Sequence, residues 1–181
     1  VICLKEGKHS LPKNVRVHSL GKEKGVSRAI YVLNFYKNIW RLRHDYDAVF
    51  VHMNPEYIVL GGLFWRLWGK HVALWYTHKS VDLKLRLATL LSGIIFTASK
   101  ESFRFPTKKL HVMGHGIDVD FFSSSENMSR GTVVLSAGRL SPTKRHDLVI
   151  QAAEHFPNEV RIVGEGPEKQ HLEVLAANLS L

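Results

Sequence analysis

The chain has 181 residues, of which 45% are hydrophobic and 23% charged, as in an ordinary globular protein. A single cysteine, Cys3, has no partner for an internal disulfide, which favours a reducing compartment. The net charge of +9 is unevenly spread: residues 1–120 hold 19 Lys or Arg against 9 Asp or Glu, and residues 121–181 hold 6 against 7. This asymmetry indicates two units with different partners.

Runs of apolar residues alternate with segments of helical periodicity along the chain. In chain order, the predicted strands are 1–4, 14–20, 47–53, 71–78, 93–99, 109–114, 132–138 and 159–164. The predicted helices are 26–43 (with Ile30, Leu33, Ile39 and Trp40 at helical spacing), 55–68 (with Pro55 at its start), 81–92, 146–156 and 167–179. Continuous apolar strands separated by helices predict an α/β fold with parallel sheets covered on both faces.

Residues 115–131 interrupt this rhythm, because they are rich in Ser, Asp and Asn and have no sustained period. We therefore predict two Rossmann-like units, 1–120 and 121–181, joined near residue 120. The second unit is too short to close a core alone, since domains of about 60 residues are already marginal. Its helix 146–156 is predicted to bury one face, formed by Leu148, Val149, Ala152, Ala153 and Phe156.

The segment SAGRLSPTKRHDLVIQA (136–152) places cations on a loop between a strand and a helix. Gly138 permits close approach to the backbone, Arg139 offers a planar fork of donors, and Lys144 is a mobile point charge. The N-terminus of the following helix adds unpaired N–H groups, so the combination suits a diphosphate. Arg145 adds further charge, and Asp147 is a candidate helix cap. The alternative is a solvated surface loop.

The next strand ends in VGEGPE (163–168), where Gly164 and Gly166 leave a bare backbone and Pro167 suits the start of a helix. Simple turn chemistry is the alternative interpretation. Because such loops occur at the ends of two consecutive strands, a shared ligand site at this edge of the sheet is favoured.

Three segments together resemble family 4 retaining glycosyltransferases, which have the GT-B fold. They are HVMGHGIDVDFF (111–122), the segment with Gly138, Arg139 and Lys144, and the segment with Gly164, Gly166 and Pro167. The resemblance covers about residues 109–181. It departs from the family pattern at His115, where Asn is frequent, and at Arg145, where Gly is common.

The resemblance implies that Arg139 and Lys144 bind the diphosphate of a nucleotide-sugar and that Gly138 lets it approach. It implies that Gly164, Gly166 and Pro167 line the nucleoside side of the pocket. His78, in WYTHKS, becomes the catalytic candidate, contacting the donor sugar or the acceptor; a strand-end histidine without chemistry is the equal alternative. Ser99 resembles a strand-end serine of the family that organises a loop.

The resemblance also implies sugar transfer with retained anomeric configuration, without a cofactor and without a metal, since cations and a helix end would stabilise the leaving group. His111 and His115 are discounted as metal ligands. The family's first β/α unit and its Glu-x7-Glu pattern are not found here, and Glu165, Glu168 and Glu173 are wrongly placed to substitute. We therefore expect both units to be incomplete. We also expect the chain to be an internal fragment that is inactive alone.

The basic residues of 1–120 suit an anionic, lipid-linked acceptor or an anionic membrane face. They include Lys5, Lys8, Lys13, Arg16, Lys22 and Lys24, and Trp65, Arg66, Trp68 and Lys70 suit an interfacial belt. The alternative is a solvated surface with the tryptophans in the core. No nucleic-acid-binding motif accompanies the charge. We expect a cytoplasmic protein, with peripheral contact at the cytoplasmic membrane face left open.

Three functions remain open at this point. The leading one is a glycosyltransferase acting on a nucleotide-sugar and a glycan or lipid-linked acceptor in polysaccharide assembly. The second is a sugar-nucleotide epimerase of the same fold. The third is a non-catalytic module that binds an anionic lipid or partner. Fold alone does not choose among them.

Overall fold

The computed structural model describes residues 1–7, 11–123 and 131–180, which form two units, Val1–Ile117 and Asp118–Leu181. Within this described part, every strand pairing is parallel. The strands are β1 (Ile2–Cys3), β2 (His18–Ser19), β3 (Ala48–His52), β4 (His71–Trp75), β5 (Ile94–Thr97), β6 (Leu110–Val112), β7 (Val134–Ala137) and β8 (Val160–Val163). The α-helices are α1 (Arg28–Arg41), α2 (Pro55–Leu67), α3 (Leu83–Leu91), α4 (His146–Ala153) and α5 (Lys169–Asn178). The predicted α/β alternation is confirmed.

In the first unit, β3, β4, β5 and β6 form one sheet in chain order. Helices connect the first three of these strands, as parallel pairing requires. The strands β1 and β2 form a separate pair that shares the same hydrophobic core. That core is built from buried side chains of the strands and helices and of the residue that follows β2, including Leu20, Phe35, Ile39, Ile58, Leu74, Leu85 and Ile95.

The helices of this unit begin and end at identifiable signals. Pro55 occupies the first turn of α2, as predicted, where its missing N–H costs nothing. The Asp82 side chain accepts a hydrogen bond from the backbone N–H of Leu85 at 2.8 Å and so caps α3. No helix in the described residues combines the length and apolar character needed to cross a bilayer.

The predicted helix over residues 26–43 is present as α1, but its buried face is not formed by the apolar residues that indicated it. The apolar residues chosen for α1 do not share a buried face, because Ile30, Leu33 and Trp40 are 42%, 66% and 56% exposed. The buried face is set instead by Phe35 and Ile39. The ring of Phe35 packs edge-on against that of Trp65, with 6.0 Å between the ring centroids. Aromatic packing therefore fixed the helix orientation.

For the interfacial belt and its alternative, tryptophans packed in the core, the structure places Trp65 in the core. Trp65 is only 3% exposed and donates a hydrogen bond from Nε1 to the Tyr46 hydroxyl at 3.0 Å. The Lys70 side chain is 13% exposed, and its ammonium donates to the Tyr46 carbonyl. Trp65 and Lys70 therefore serve the core, whereas Arg66 and Leu67 are exposed and Trp68 is half-buried. Of the early basic residues, Lys8 lies outside the described residues and the others are exposed.

In the second unit, β7 and β8 pair with each other, and the core consists of Leu140, Ile150 and Leu172 with partly buried neighbours. The predicted face of helix 146–156 is wrong, since Leu148 is 49% and Phe156 is 52% exposed. The buried residues of α4 are His146 and Ile150. The helix also ends earlier, at Ala153, so Phe156 falls beyond it.

Candidate functional site

The loop from β7 to α4 carries the two predicted phosphate-binding cations. Arg139 follows Gly138 directly after β7, and Lys144 ends a short 3-10 turn, Pro142–Lys144. Both side chains are exposed, and neither forms an ion pair with any acidic residue in the described ranges. Their charges are therefore available to an anionic ligand.

Backbone hydrogen bonds join this loop to the one after β8. Gly138 N–H donates to the Val163 carbonyl at 2.9 Å, and Leu140 N–H donates to the Glu165 carbonyl at 3.0 Å. In return, the Leu140 carbonyl accepts from Glu168 N–H at 3.2 Å. The parallel ladder thus continues beyond both strands. Leu140, which is 6% exposed, anchors the loop in the core between the two cations.

The two glycines of the second loop permit this close approach. A Cβ added to Gly164 would lie 1.8 Å from the Gly138 carbonyl oxygen, and one added to Gly166 would lie 2.1 Å from the Leu140 carbonyl oxygen. Both positions exclude any side chain. The structure therefore brings Gly164 and Gly166 against the loop from β7 to α4 that carries Arg139 and Lys144, which we call the cation loop. Pro167 is exposed in the turn before α5, which begins at Lys169 and not at Pro167 as predicted.

Arg145 and Asp147 form a pair instead of a phosphate contact and a helix cap. The Arg145 guanidinium donates from Nε to Oδ1 of Asp147 at 3.0 Å and from Nη2 to Oδ2 at 2.9 Å. This pairing lowers the pKa of the Asp147 carboxyl below its ordinary value. Asp147 is not the N-cap of α4, because the helix begins at His146 and its N-cap position is Arg145.

The backbone at Arg145 has a conformation that favours glycine, the residue that the resemblance indicates at this position. Its φ of 52° and ψ of 41° lie in the left-handed region, which glycine adopts freely and other residues adopt at a cost. Arg145 holds this conformation while its side chain is tied to Asp147. Of the three cations on the loop, Arg145 is thus already neutralised.

His146 is a residue of this site that sequence reasoning missed. It is 4% exposed, and its Nδ1 lies 3.1 Å from the Ser136 hydroxyl oxygen on β7. Its Nε2 is buried without a hydrogen-bond partner among the described residues. A Cβ on Gly138 would lie 3.7 Å from that nitrogen, so the ring lies beneath the start of the cation loop. The sequence signal that could have revealed His146 is a histidine at a core-facing position of an amphipathic helix.

His78, the catalytic candidate, lies in the first unit, three residues after β4. Its ring is exposed, and its Nδ1 accepts a hydrogen bond from Ser80 N–H at 3.1 Å. The Tyr76 ring packs edge-on against it at 6.3 Å, and the Tyr76 hydroxyl donates to the Ser80 carbonyl at 3.1 Å. With Nδ1 accepting, a neutral imidazole carries its proton on Nε2, which is free to donate to a ligand.

Ser99 takes part in loop organisation. Its hydroxyl lies 3.0 Å from that of Ser102 across the short 3-10 turn Lys100–Ser102, which begins directly after Ser99. In the segment 111–122, Gly114 has a φ of 76°, and Asp118 accepts a hydrogen bond from Phe121 N–H at 2.9 Å. Over the described residues, no group of three or more His, Cys, Asp or Glu side chains is arranged to hold a metal ion.

Residues 118–181 match the family model of glycosyl transferases, group 1. This match covers the whole second unit, including the loop with Arg139 and Lys144 and the loop with Gly164 and Gly166. No curated protein sequence matches the chain significantly.

Solved structures share the fold. HepE of Anabaena, solved in complex with UDP, superposes with a TM-score of 0.69 at 17% identity over 92% of this chain and 53% of its own. The lipopolysaccharide outer core galactosyltransferase WaaB, in its apo form, gives 0.60 at 16% identity over 93% and 51%. MurG of Acinetobacter baumannii gives 0.55 at 13% identity over 93% and 49%. The fold is therefore the GT-B type of α/β architecture, as predicted.

The chain spans about half the length of these matched structures. At such identities the likeness concerns the fold.

Proposed function

We propose that the protein is a glycosyltransferase that moves a sugar from a nucleotide-sugar donor to a glycan or lipid-linked acceptor, with retention of configuration. The observation that carries this proposal is the paired loop system of the second unit. There, two cations without an ion-pair partner among the described residues lie on a loop that is hydrogen-bonded to a glycine loop, within the segment that matches group 1 glycosyl transferases. That HepE has been solved with UDP and with UDP-glucose further supports a nucleotide-sugar donor.

In this proposal, Arg139 and Lys144 bind the donor diphosphate. The guanidinium makes paired hydrogen bonds to phosphate oxygens, while the ammonium acts as a point charge. Gly138 lets the diphosphate approach the backbone at the end of β7, and Gly164, Gly166 and Pro167 line the nucleoside side. When the bond from the sugar to the diphosphate breaks, these cations and the N-terminus of α4 stabilise the charge on the leaving nucleoside diphosphate.

His78 is proposed to contact the donor sugar or the acceptor. Its Nδ1 is engaged by Ser80 N–H, so the ring is oriented and Nε2 is left to donate a hydrogen bond to a sugar hydroxyl. Replacing His78 by Ala should then lower kcat in the complete gene product and leave the affinity for free UDP unchanged.

The basic first unit is proposed to attract an anionic acceptor or the cytoplasmic membrane face of a peripheral, cytoplasmic enzyme of polysaccharide biosynthesis. Its exposed lysines and arginines outnumber its acidic residues, and such a field concentrates anionic partners. Pelleting with anionic liposomes tests this. Binding that disappears at high salt is expected, and equal pelleting with neutral liposomes contradicts it.

The donor site is tested by titrating UDP and GDP into the complete gene product and its variants. Arg139→Ala and Lys144→Ala should each weaken diphosphate affinity about tenfold or more, because each removes a charge-assisted contact. Arg161→Ala is the matched control, since this arginine of the same unit is already paired with Glu159. Unchanged diphosphate affinity in both Arg139→Ala and Lys144→Ala would contradict the proposal that these residues bind the donor diphosphate.

A further inference from the structure

The imidazole of His146 lies along the end of β7, next to the start of the cation loop. Its Nδ1 is 3.1 Å from the Ser136 hydroxyl oxygen, and its Nε2 would lie 3.7 Å from a Cβ added to Gly138. Side chains two positions apart on a strand point to the same face of the sheet, so the ring spans the positions of residues 136 and 138. Nδ1 therefore faces the body of the strand. Nε2 faces its carboxyl end, the edge at which ligands bind in α/β sheets.

The two ring nitrogens of His146 differ in their hydrogen bonding. The residue is 4% exposed, and Nδ1 is engaged by Ser136, whereas no described residue forms a hydrogen bond with Nε2. Buried polar side-chain atoms are almost always paired, and an exception in a native protein indicates strain, a function or a missing partner. If the ring only filled the core, an apolar side chain would fill the same space without leaving a nitrogen unpaired. The unpaired Nε2 therefore points to a ligand.

The groups around Nε2 favour an anionic ligand. The cation loop carries Arg139 and Lys144, which are exposed and have no ion-pair partner among the described residues. The eight-residue helix α4 begins at His146 itself, and the first N–H groups of a helix lack intrahelical acceptors. The remaining cation of the loop, Arg145, is already paired with Asp147. An N–H donor at Nε2 would add one more hydrogen bond for an anionic oxygen.

We propose that His146 is a third diphosphate-binding residue, whose Nε2–H donates a hydrogen bond to an oxygen of the bound diphosphate. This inference rests on the proposed function, in which the diphosphate approaches the backbone at Gly138. A ligand oxygen that takes the place of the missing Cβ there lies 3.7 Å from Nε2. A shift of less than about 1 Å brings it to the usual hydrogen-bond distance of about 2.9 Å. Glycine at position 138 thus leaves room for the contact.

Ser136 places the proton of His146 on the nitrogen that faces the ligand. A neutral imidazole has one donor and one acceptor nitrogen. When the Ser136 hydroxyl donates to Nδ1, the ring carries its proton on Nε2, at the carboxyl end of β7. Binding of the diphosphate then supplies the acceptor that Nε2 lacks among the described residues, so a cost of the free protein is removed in the complex.

Two substitutions separate the roles of the two nitrogens. Asn places its polar atoms near the position of Nδ1, and Gln places them near that of Nε2. Titration of UDP into the complete gene product should give about tenfold weaker binding for His146→Asn and a loss of less than about threefold for His146→Gln. His155→Asn is the matched control, because His155 is an exposed histidine of the same unit. Equal losses of UDP affinity in His146→Asn and His146→Gln overturn the proposal.

Urea unfolding of the same two variants tests whether His146 acts only through packing. His146→Asn can keep the contact with Ser136, so it should be more stable than His146→Gln although it binds UDP more weakly. A ring that only supports the fold would give the same order of the two variants in stability and in UDP affinity. That result contradicts the proposal.

NMR of protein with 15N-labelled histidine follows Nε2 without any substitution. Inorganic pyrophosphate should shift the Nε2–H proton of His146 downfield and slow its exchange with water, whereas uridine, which has no phosphate, should leave both unchanged. If UDP and pyrophosphate bind normally and the Nε2–H signal does not respond, only the role of His146 is overturned. If neither UDP nor pyrophosphate binds the unsubstituted protein, the proposed function and this inference are both wrong.

Discussion

Gly164 packs against the carbonyl group of Gly138 so closely that an added Cβ would lie 1.8 Å from that oxygen. This contact holds the cation loop against the neighbouring loop, so the missing side chain is a structural requirement of the candidate site. The same relation recurs between Gly166 and the Leu140 carbonyl oxygen, at 2.1 Å.

Gly164→Ala should therefore destabilise the second unit by about 1–3 kcal/mol, since neither backbone can give way without breaking the hydrogen bonds between the loops. Urea unfolding measures the loss. Gly131→Ala is the matched control, because no described atom lies within 4 Å of its added Cβ. If Gly164→Ala and Gly131→Ala unfold at the same urea concentration, the proposed packing role is wrong.

The Ser136 and His146 pair should show energetic coupling. His146→Phe leaves the Ser136 hydroxyl without its partner, and Ser136→Ala leaves both nitrogens of a buried ring unpaired. Each single variant should lose about 1–3 kcal/mol, and the double variant should lose less than the sum of the two. A double-mutant cycle by urea unfolding gives the coupling. Strict additivity would mean that the two groups act independently.

The sequence predicts the α/β architecture because its strands are continuous apolar runs. Such runs are typical of parallel strands covered on both faces, although Leu135 of β7 and Val163 of β8 are 64% and 57% exposed in this chain. The positions of Gly164 and Gly166 are also predictable, since glycines at two adjacent strand ends indicate close backbone approach. The structure shows a close approach of these glycines to the backbone of the neighbouring loop, and their place on the nucleoside side of a ligand pocket stays a prediction.

The buried faces of the helices were less predictable. In α4, Leu148 is exposed while His146 is buried, because the ring reaches back to Ser136 on β7. This contact joins residues ten positions apart, and helical periodicity contains no information about it. For Trp65 the sequence left a surface belt and the core as alternatives, and the indole N–H donates to the Tyr46 hydroxyl inside the core. Long-range hydrogen bonds decided both positions.

Arg145→Gly should relieve the backbone at a φ of 52° and release Asp147 from its partner. Arg145 lowers the pKa of Asp147 from its ordinary value of 3.8, mainly through the side-chain hydrogen bond. A depressed folded pKa gives stability above the unfolded value, and this contribution is lost as the pH falls through the folded pKa.

The NMR titration of the Asp147 carboxyl should accordingly move back towards 3.8 in Arg145→Gly. Arg145→Ala is the comparison variant, because it loses the same pair and keeps a Cβ in the left-handed conformation. At neutral pH, Arg145→Gly should be more stable than Arg145→Ala. The reverse order would show that the left-handed backbone imposes no cost at this position.

Lys109 supports the first unit from the end of α3. Its ammonium donates hydrogen bonds to the carbonyls of Thr89, Leu90 and Ser92 at 2.9, 3.2 and 2.7 Å. These carbonyls lie at the helix C-terminus, where acceptors lack partners and a positive charge is favourable. Burial lowers the pKa of Lys109, with a smaller contribution from Arg66, so part of this stabilisation offsets the loss of hydration.

Lys109→Met keeps the length of the side chain and removes the charge and the donors. We expect it to lower the free energy of unfolding by about 1–3 kcal/mol, because three terminal carbonyls lose a charged partner. Lys108→Met is the matched control, since the neighbouring side chain is exposed. The difference between the two variants in urea unfolding isolates the cap from the general effect of removing one positive charge. Equal stability of Lys108→Met and Lys109→Met would show that water replaces the ammonium at these carbonyls without loss.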